Sequence, residues 1–552
     1  MFAVYSEFFL NTFKTNMINA VENQIINIKN RLKDLKTNFF LDSSSKNFIQ
    51  HNKRVFTYQD SDDVNKPIVL LELNETVTNT IAYSYVAHEL SKKYNASLVA
   101  FFPRFPRTLS KKIIWNLRSI FGSPIYRVFK SFGVNSFIVP SRNNRIEEES
   151  EDLYADRIDL INDKADLESL KIYDIEFGDL IYDYFLNYYK TPGIETNSEN
   201  FRLHLKYCIQ LIVYWNNFFH ENNIVAINVS HTVYTNAIPL RIAAKFGIHC
   251  FQSNESHLYQ LNESKLFAYK DFVDYKKIFK TLKNSEKENA LKNAKERIDL
   301  RFSGEVGVDM AYSTKSAFSA PSSDRILRES NKIKILVAPH CFFDSPHPYG
   351  LNLFPDVFEW LEEISKISNL TDYDWYVKTH PDFLKETKAL VHEFFKSKDK
   401  FTLLPSNASH LQLVDEGINF ALTMWGTIGF EYAAMNVPVI NASLNNPHIA
   451  YDFNIHPKSK KEYREIMMNL QNIKLDIDVN EVYEYYYMKH LHYNHNWLFK
   501  DFDKFIDEFN SPKKRLSSEV YNYWIKNWNQ DRHYEILTRL DNFFESDEYR
   551  LS

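Results

Sequence analysis

Short apolar runs that alternate with helical segments, in two successive series, most limit the folds open to this 552-residue chain. Residues 67–73 (PIVLLEL), 97–102 (SLVAFF), 136–140 (SFIVP), 224–229 (IVAINV) and 248–251 (IHCF) have the length and branched-aliphatic content of buried parallel strands. Helices are expected at 81–93 and at 237–246, the second ended by Gly247, and an acidic helical stretch is expected at 147–168. The pattern then restarts. Strands are expected at 334–338 (KILVA), 374–378 (DWYVK), 401–404, 420–424 and 438–441, and helices at 354–368, 382–396, 409–416 and 427–435. Such alternation specifies an α/β protein with two doubly wound, Rossmann-type domains facing a cleft. A charged helix at 285–301 and a polar loop at 319–324 separate the series. The expected divisions are an N-terminal helical segment (1–60), a first Rossmann-like domain (61–325), a second (326–460) and a C-terminal helical region (461–552).

Residues 14–36 carry Val21, Ile25, Ile28, Leu32 and Leu35 at heptad spacing. That seam suits either one packed amphipathic helix or a homodimer-forming coil. The N-terminal stretch has a Glu in its apolar run and no basic segment before it, unlike a secretory signal. No run reaches the roughly 18–20 apolar residues of a membrane-spanning helix, so any membrane association is expected to be peripheral. The net charge is −5 with acids and bases interspersed, which offers no face for nucleic acid. Three separated cysteines make no disulfide framework and suit a cytoplasmic protein.

Only 11 glycines occur, so each is expected to meet a backbone need that other residues cannot. Gly426 and Gly429 lie in LTMWGTIGFE, between an expected strand and helix. Thr423, Trp425, Gly426 and Thr427 would there surround a helix start, where amides and hydroxyls can receive an anion. The spacing matches neither a dinucleotide fingerprint nor a P-loop. In VKTHP, Lys378, His380 and Pro381 close another strand. Lys378 and His380 could both meet a phosphate, and His380 could also give a proton to a departing phosphate oxygen. The loop PHCFFDSPHPYG sets His340, Asp344 and His347 at an H-x3-D-x2-H spacing without an evident fourth metal ligand, and is read as nucleotide-contacting. In the first series, His231 (with Ser230 and Tyr234) and Glu75 follow strands. Either could deprotonate an acceptor hydroxyl across the cleft. FGDLIYD, with Asp179 and Asp183, shapes an acceptor loop or caps a helix.

Taken in order, PHCFFDSPHPYG, LFPDVFEWL, DWYVKTHP and LTMWGTIGFEYAAMNVPVI resemble the carboxyl half of bacterial capsule and surface-polysaccharide biosynthesis glycosyltransferases, including the Kdo-transferase-like capsule proteins. The likeness covers roughly residues 333–440, and extends weakly to FGDLIYD, VSHTVYTNAIPLRIAAKFGI and RFSGEVGVD. It implies a GT-B fold, a nucleotide-sugar donor held by the second domain and no essential metal; the acceptor is expected on the first domain, and no cofactor is expected. His380 and Pro381 match a motif that contacts the donor phosphate in similar transferases. Thr423 and Thr427 match hydroxyls near that phosphate, and Glu431 an acidic residue aimed at the donor's ribose or sugar. Similar sialyltransferases carry their base in an acid-acid-Gly triplet of the first domain. Here that triplet occurs only as Asp415-Glu416-Gly417 in the second half and is read as a helix end.

The resulting expectation is transfer of a sugar from a nucleotide donor onto a bacterial surface glycan, or its lipid-linked precursor, at most at the inner face of the membrane. The rivals are a glycerophosphotransferase or nucleotide-sugar epimerase on the same scaffold, and a non-catalytic polysaccharide-assembly binding protein.

Overall fold

The structure is a computed structural model that describes residues 41–56, 66–106, 113–115, 123–310, 313–318, 320–382 and 385–551. The heptad seam at 14–36 lies outside the described residues. The strands are β1 (Ile68–Glu72), β2 (Ser97–Phe101), β3 (Val134–Ile138), β4 (Lys171–Ile172), β5 (Ile175–Glu176), β6 (Ile224–Val229), β7 (His249–Ser253), β8 (Leu258–Leu261), β9 (Lys334–Val337), β10 (Asp374–Val377), β11 (Phe401–Leu403), β12 (Phe420–Thr423) and β13 (Val439–Asn441).

Two sheets organise them. The first runs β3-β2-β1-β6-β7-β8 and the second β11-β10-β9-β12-β13. Every neighbouring pair is parallel except β7 with β8, which closes an edge antiparallel. In each sheet the winding reverses once, between β1 and β6 and between β9 and β12. Loops leaving the carboxyl ends of strands diverge there and open a crevice, where doubly wound sheets bind ligands. Two doubly wound lobes meeting at those ends make the GT-B arrangement.

The elements form for local reasons. Leu70, Val99 and Ile227 face one apolar cluster and Val69, Leu71 and Ala226 another, so the first sheet is covered on both sides and its strands read as unbroken apolar runs. The helix Val77–Tyr94 ends at Asn95, which takes a left-handed conformation (φ 45°). The helix Ala237–Lys245 ends before Gly247 (φ 69°). The small hairpin β4–β5, the strand β8 and the long helix Glu199–Glu221 carry no signal that the alternation pattern detects.

Packing divides the chain differently from the linear boundaries 1–60, 61–325, 326–460 and 461–552. The helix Asn284–Phe302 precedes the polar loop, yet Ala290, Ala294 and Ile298 share a cluster with Phe430, Ala433 and Val482 of the second lobe. The chain therefore changes lobe before Phe272. Residues past 461 split: Val479–Tyr486 stays with the second lobe, while Trp497, Tyr521, Trp524, Ile536 and Leu540 pack on the first. Tyr549 and Leu551 reach the edge strand, where Gln260 N–H donates to Tyr549 O and Leu551 N–H to Leu258 O, both at 2.9 Å. Among the described residues no helix is long and apolar enough to cross a membrane.

Candidate functional site

The lobes touch through loops at the carboxyl ends of their strands. Past β6, the Tyr234 hydroxyl donates to Asp344 Oδ1 at 2.8 Å, on the loop that leaves β9. Ser345 N–H donates back to the Tyr234 oxygen at 3.0 Å. Past β13, Asn445 Oδ1 accepts from Lys270 Nζ at 2.7 Å. Tyr234 holds a left-handed backbone (φ 57°), which costs a non-glycine residue on the order of 1 kcal/mol. The surrounding loop secures it: the buried Glu72 carboxylate, closing β1, accepts from Ser230 N–H at 2.7 Å and from Asn236 Nδ2 at 2.6 Å.

At the second sheet's reversal point, β9 delivers His340 and β12 delivers Thr423 to one spot. The rings of His340 and Trp425 stack with centroids 4.5 Å apart. Burial, with His380 nearby, pushes His340 down to about 4, so the ring is neutral. Trp425 N–H points at Nε2 from 3.5 Å, which makes Nε2 the acceptor and the Thr423 hydroxyl, 3.1 Å away, its donor. Thr423 Oγ1 in turn accepts from Gly426 N–H at 3.2 Å. Gly426 is required by close approach rather than positive φ: a Cβ there would stand 2.9 Å from Thr423 Oγ1 and 3.1 Å from His340 Nε2. Thr427 is exposed at the start of the helix Ile428–Ala434.

His380 lies half-buried just past β10, beside the buried Pro381. Burial lowers its pKa, against the pull of Glu431. Asp382 N–H donates to Nδ1 at 3.1 Å, so the neutral ring carries its proton on Nε2.

Three expected ligand contacts point elsewhere. Lys378 is only 3% exposed, and its ammonium donates to His410 Nε2 at 3.2 Å. His410 Nδ1–H continues the chain to the Tyr432 hydroxyl at 2.8 Å. Burial brings Lys378 down to about 8, although Glu431 opposes the shift, and a cation held this way braces the floor of the site rather than opening onto it. Glu431 is also buried, and Oε1 accepts from Arg301 Nε at 2.9 Å. That leaves it tied to a guanidinium rather than free for a ribose. His347 is 1% exposed and bridges the lobes: Nδ1 lies 2.6 Å from Asp183 and Nε2 2.8 Å from Glu168. Burial opposes its charge, but the two carboxylates prevail and hold it at about 10, as an imidazolium. The H-x3-D-x2-H spacing thus sends His340, Asp344 and His347 to three different partner sets. Among the described residues no group of three or more His, Cys, Asp or Glu side chains is placed to hold a metal ion.

On the first lobe, His231 and Glu75 are exposed on the loops that leave β6 and β1, the neighbouring strands at that sheet's reversal point. Asp183 belongs to the interlobe clamp and Asp179 pairs with Arg241 through a buried double hydrogen bond, so FGDLIYD is structural. The pattern of motifs misses Glu72, Arg301 and His410. An acid ending the apolar run PIVLLEL is the sequence signal for Glu72, whereas Arg301, although it opens the fragment RFSGEVGVD, gives no sign in the sequence of its partner Glu431.

No family model and no curated protein matches the sequence. Among solved structures, the beta Kdo 2,4 transferase KpsC of Thermosulfurimonas dismutans aligns with 49% of this chain and 85% of its own, at 11% identity and a TM-score of 0.30. A glycosyltransferase from Rickettsia africae ESF-5 aligns with 84% of this chain and 100% of its own, at 11% identity and a TM-score of 0.22. The UDP-GlcNAc 2-epimerase of Neisseria meningitidis, solved bound to UDP-GlcNAc, aligns with 78% of this chain and 100% of its own, at 10% identity and a TM-score of 0.20. Similarity at this level leaves the chemistry of the cleft to be argued from its own residues.

Proposed function

We propose that the protein is a glycosyltransferase that moves a sugar from a nucleotide donor onto a bacterial surface glycan or its lipid-linked precursor. The observation that carries this reading is the meeting of two sheet-reversal crevices across one gap, joined where Tyr234 bonds Asp344. One crevice offers hydrogen-bond donors for a phosphate leaving group; the other offers proton acceptors for an attacking hydroxyl.

On the second lobe, the donor phosphate sits against His380, Trp425, Gly426 and Thr427. The Nε2–H of neutral His380 donates to a phosphate oxygen as the glycosidic C–O bond breaks. Fixed donors aimed at developing charge supply the largest electrostatic share of such catalysis. His340 and Thr423 hold the Trp425–Gly426 turn, and Lys378, His410 and Glu431 set the floor beneath it. On the first lobe, His231 or Glu75 takes the proton from the acceptor hydroxyl as its oxygen attacks the anomeric carbon. The displacement uses no cofactor and no metal. The work is placed in the cytoplasm, with any membrane contact peripheral.

The test is turnover with CMP-, UDP- and GDP-sugar panels and mass analysis of the products. A folded His380→Ala protein with near-full transfer activity would refute this role. A product of epimerised donor, or of transferred glycerophosphate, would replace transfer with one of those chemistries. Nucleotide binding without turnover would instead mark a binding protein.

A further inference from the structure

The turn that leaves β7 at the carboxyl end of the first sheet carries Asn254, Ser256 and His257, and the segment past β8 brings Tyr269 against them. The donor site uses none of the four. The rings of His257 and Tyr269 meet edge to face with centroids 4.7 Å apart, and Tyr269 Oη lies 2.7 Å from His257 Nε2. Two further contacts place this pair where the lobes meet. The wholly buried Gln252 donates from Nε2 to Tyr269 Oη at 3.2 Å and to Ser230 O at 2.7 Å, next to His231. Lys270, the residue after Tyr269, donates to Asn445 of the second lobe at 2.7 Å. Tyr269 thus stands between the β6 loop and the lobe junction. It is half-buried, as are Asn254, Ser256 and His257.

The hydrogen bonds fix which atom holds each proton. Asn254 Oδ1 accepts from Ser256 N–H at 2.9 Å and from His257 N–H at 3.1 Å, so Asn254 Nδ2 is the donor that faces His257 Nε2 at 2.8 Å. Nε2 is therefore an acceptor, and Nδ1 carries the ring proton and gives it to Ser256 Oγ at 2.7 Å. The Ser256 hydroxyl closes the loop on Asn254 Oδ1 at 3.1 Å. The Tyr269 hydroxyl donates to Nε2, while its oxygen receives Gln252 N–H at 3.2 Å and Asn254 N–H at 3.4 Å. A phenol whose proton faces an imidazole lone pair, and whose oxygen faces amide donors, is arranged to pass one proton on and accept another. The longer Asn254 contact is the one that an incoming hydroxyl would replace. Burial, with Arg550 near, holds the His257 imidazole well below its usual pKa, so the ring is neutral. A weak base suffices here, because a hydroxyl turns strongly acidic once its oxygen bonds carbon. Tyr269 also keeps a left-handed backbone (φ 63°), a strained conformation that clusters at working sites.

We infer that Tyr269 is a catalytic residue that takes the proton of the attacking hydroxyl, with His257 behind it as the final proton acceptor. As the acceptor oxygen bonds the anomeric carbon, the donor's C–O bond to phosphate breaks and the phosphate leaves with the electron pair. The acceptor's proton goes to Tyr269 Oη, and the proton of Tyr269 goes to His257 Nε2. The resulting imidazolium is steadied at Nδ1 by Ser256. The inference rests on reading the gap as a glycosyl-transfer site, and it adds an oriented proton acceptor to His231 and Glu75.

Nucleotide release by the full-length protein tests it, with CMP-, UDP- and GDP-sugars as donors. The acceptors are p-nitrophenyl glycosides or water alone, since attacking water must shed its proton in the same way. Tyr269→Phe should lower kcat roughly a hundredfold or more, with donor KM and nucleotide affinity unchanged. His257→Ala should fall similarly and regain activity with added imidazole, which a purely structural role would not allow. Should His257→Ala fail to fold, His257→Gln should lose turnover while keeping nucleotide affinity. Near-wild-type turnover by Tyr269→Phe would overturn the inference, as would a loss confined to His231→Ala or Glu75→Gln. Absence of imidazole rescue in folded His257→Ala would remove His257 from the route. Parallel loss of nucleotide binding and turnover would show that the pair braces the lobes and moves no proton. A wild-type protein inactive with every donor would remove the glycosyl-transfer reading and the relay with it, whereas activity retained by Tyr269→Phe removes the relay alone.

Discussion

Arg301 Nη2 lies 2.5 Å and its Nε 2.9 Å from the same oxygen of Glu431, so the helix preceding the second sheet is bonded to the helix that begins at the Trp425–Gly426 turn. Both side chains are almost wholly buried. Removing one partner strands the other's charge, so Glu431→Ala or Arg301→Ala should cost about 3–5 kcal/mol in urea unfolding. The double variant Arg301→Met with Glu431→Leu should cost less than either single change. A Glu431→Ala protein of unchanged stability but weakened nucleotide affinity would return this residue to the ligand.

The two glycines of the LTMWGTIGFE motif separate binding from stability. At Gly429 a Cβ would fall 2.3 Å from His448 Cε1, inside a buried aromatic cluster. Gly429→Ala should therefore destabilise by about 1–3 kcal/mol through overpacking. Gly426→Ala meets Thr423 and His340 at the edge of the site, and should reduce nucleotide affinity with a smaller loss of melting temperature. Thermal unfolding with and without CMP, UDP or GDP reads both effects.

His347 makes the lobe interface pH-dependent in a defined direction. Its folded pKa of about 10 stands above the usual imidazole value. Stability from the bridge to Asp183 and Glu168 is therefore fully present below about pH 6.5 and is lost as pH rises toward 10. The stability difference between wild type and His347→Gln should be largest near pH 6 and should shrink steadily above neutrality. A difference that is flat across this range would show that the ring is uncharged.

Lys378 has the opposite sign. Its pKa, brought down to about 8 by burial, lies below the unfolded value, so the ammonium opposes folding at neutral pH. The disadvantage fades as pH rises from 8 through the unfolded value. Lys378→Met should raise stability at pH 7 and flatten that rise. It should also leave nucleotide binding closer to wild type than His380→Ala does. The reverse order in the binding assay would put the ammonium on the phosphate.

Buried parallel strands need continuous apolar runs, and those runs stand in the sequence as written. This is why β1, β2, β6, β9, β10 and β12 fall within a residue or two of expectation and the doubly wound architecture is legible. The loops after the strand ends also bring His340, Thr423, Trp425 and Gly426 together. What linear order could not show is which side chains another lobe would claim. His347 is one residue type among many in a polar loop until Asp183 and Glu168 arrive from helices far upstream. The same holds for Lys378, whose partner His410 lies on a separate short helix, and for Arg301, which only tertiary packing brings to Glu431. The helix Asn284–Phe302 also shows that a polar loop can mark a change of sheet without marking a change of core.

The return of the last elements to the first lobe has a consequence for biogenesis. The helix Gln530–Glu545 lies on Val77–Tyr94, and Trp528 Nε1 bonds the Tyr85 hydroxyl at 3.1 Å. During synthesis the early helix leaves the ribosome with its greasy side bare, while the later lobe can already assemble around its own sheet. The first half to be made is thus the last to be finished, and in that interval it is the part of the molecule most in need of a chaperone.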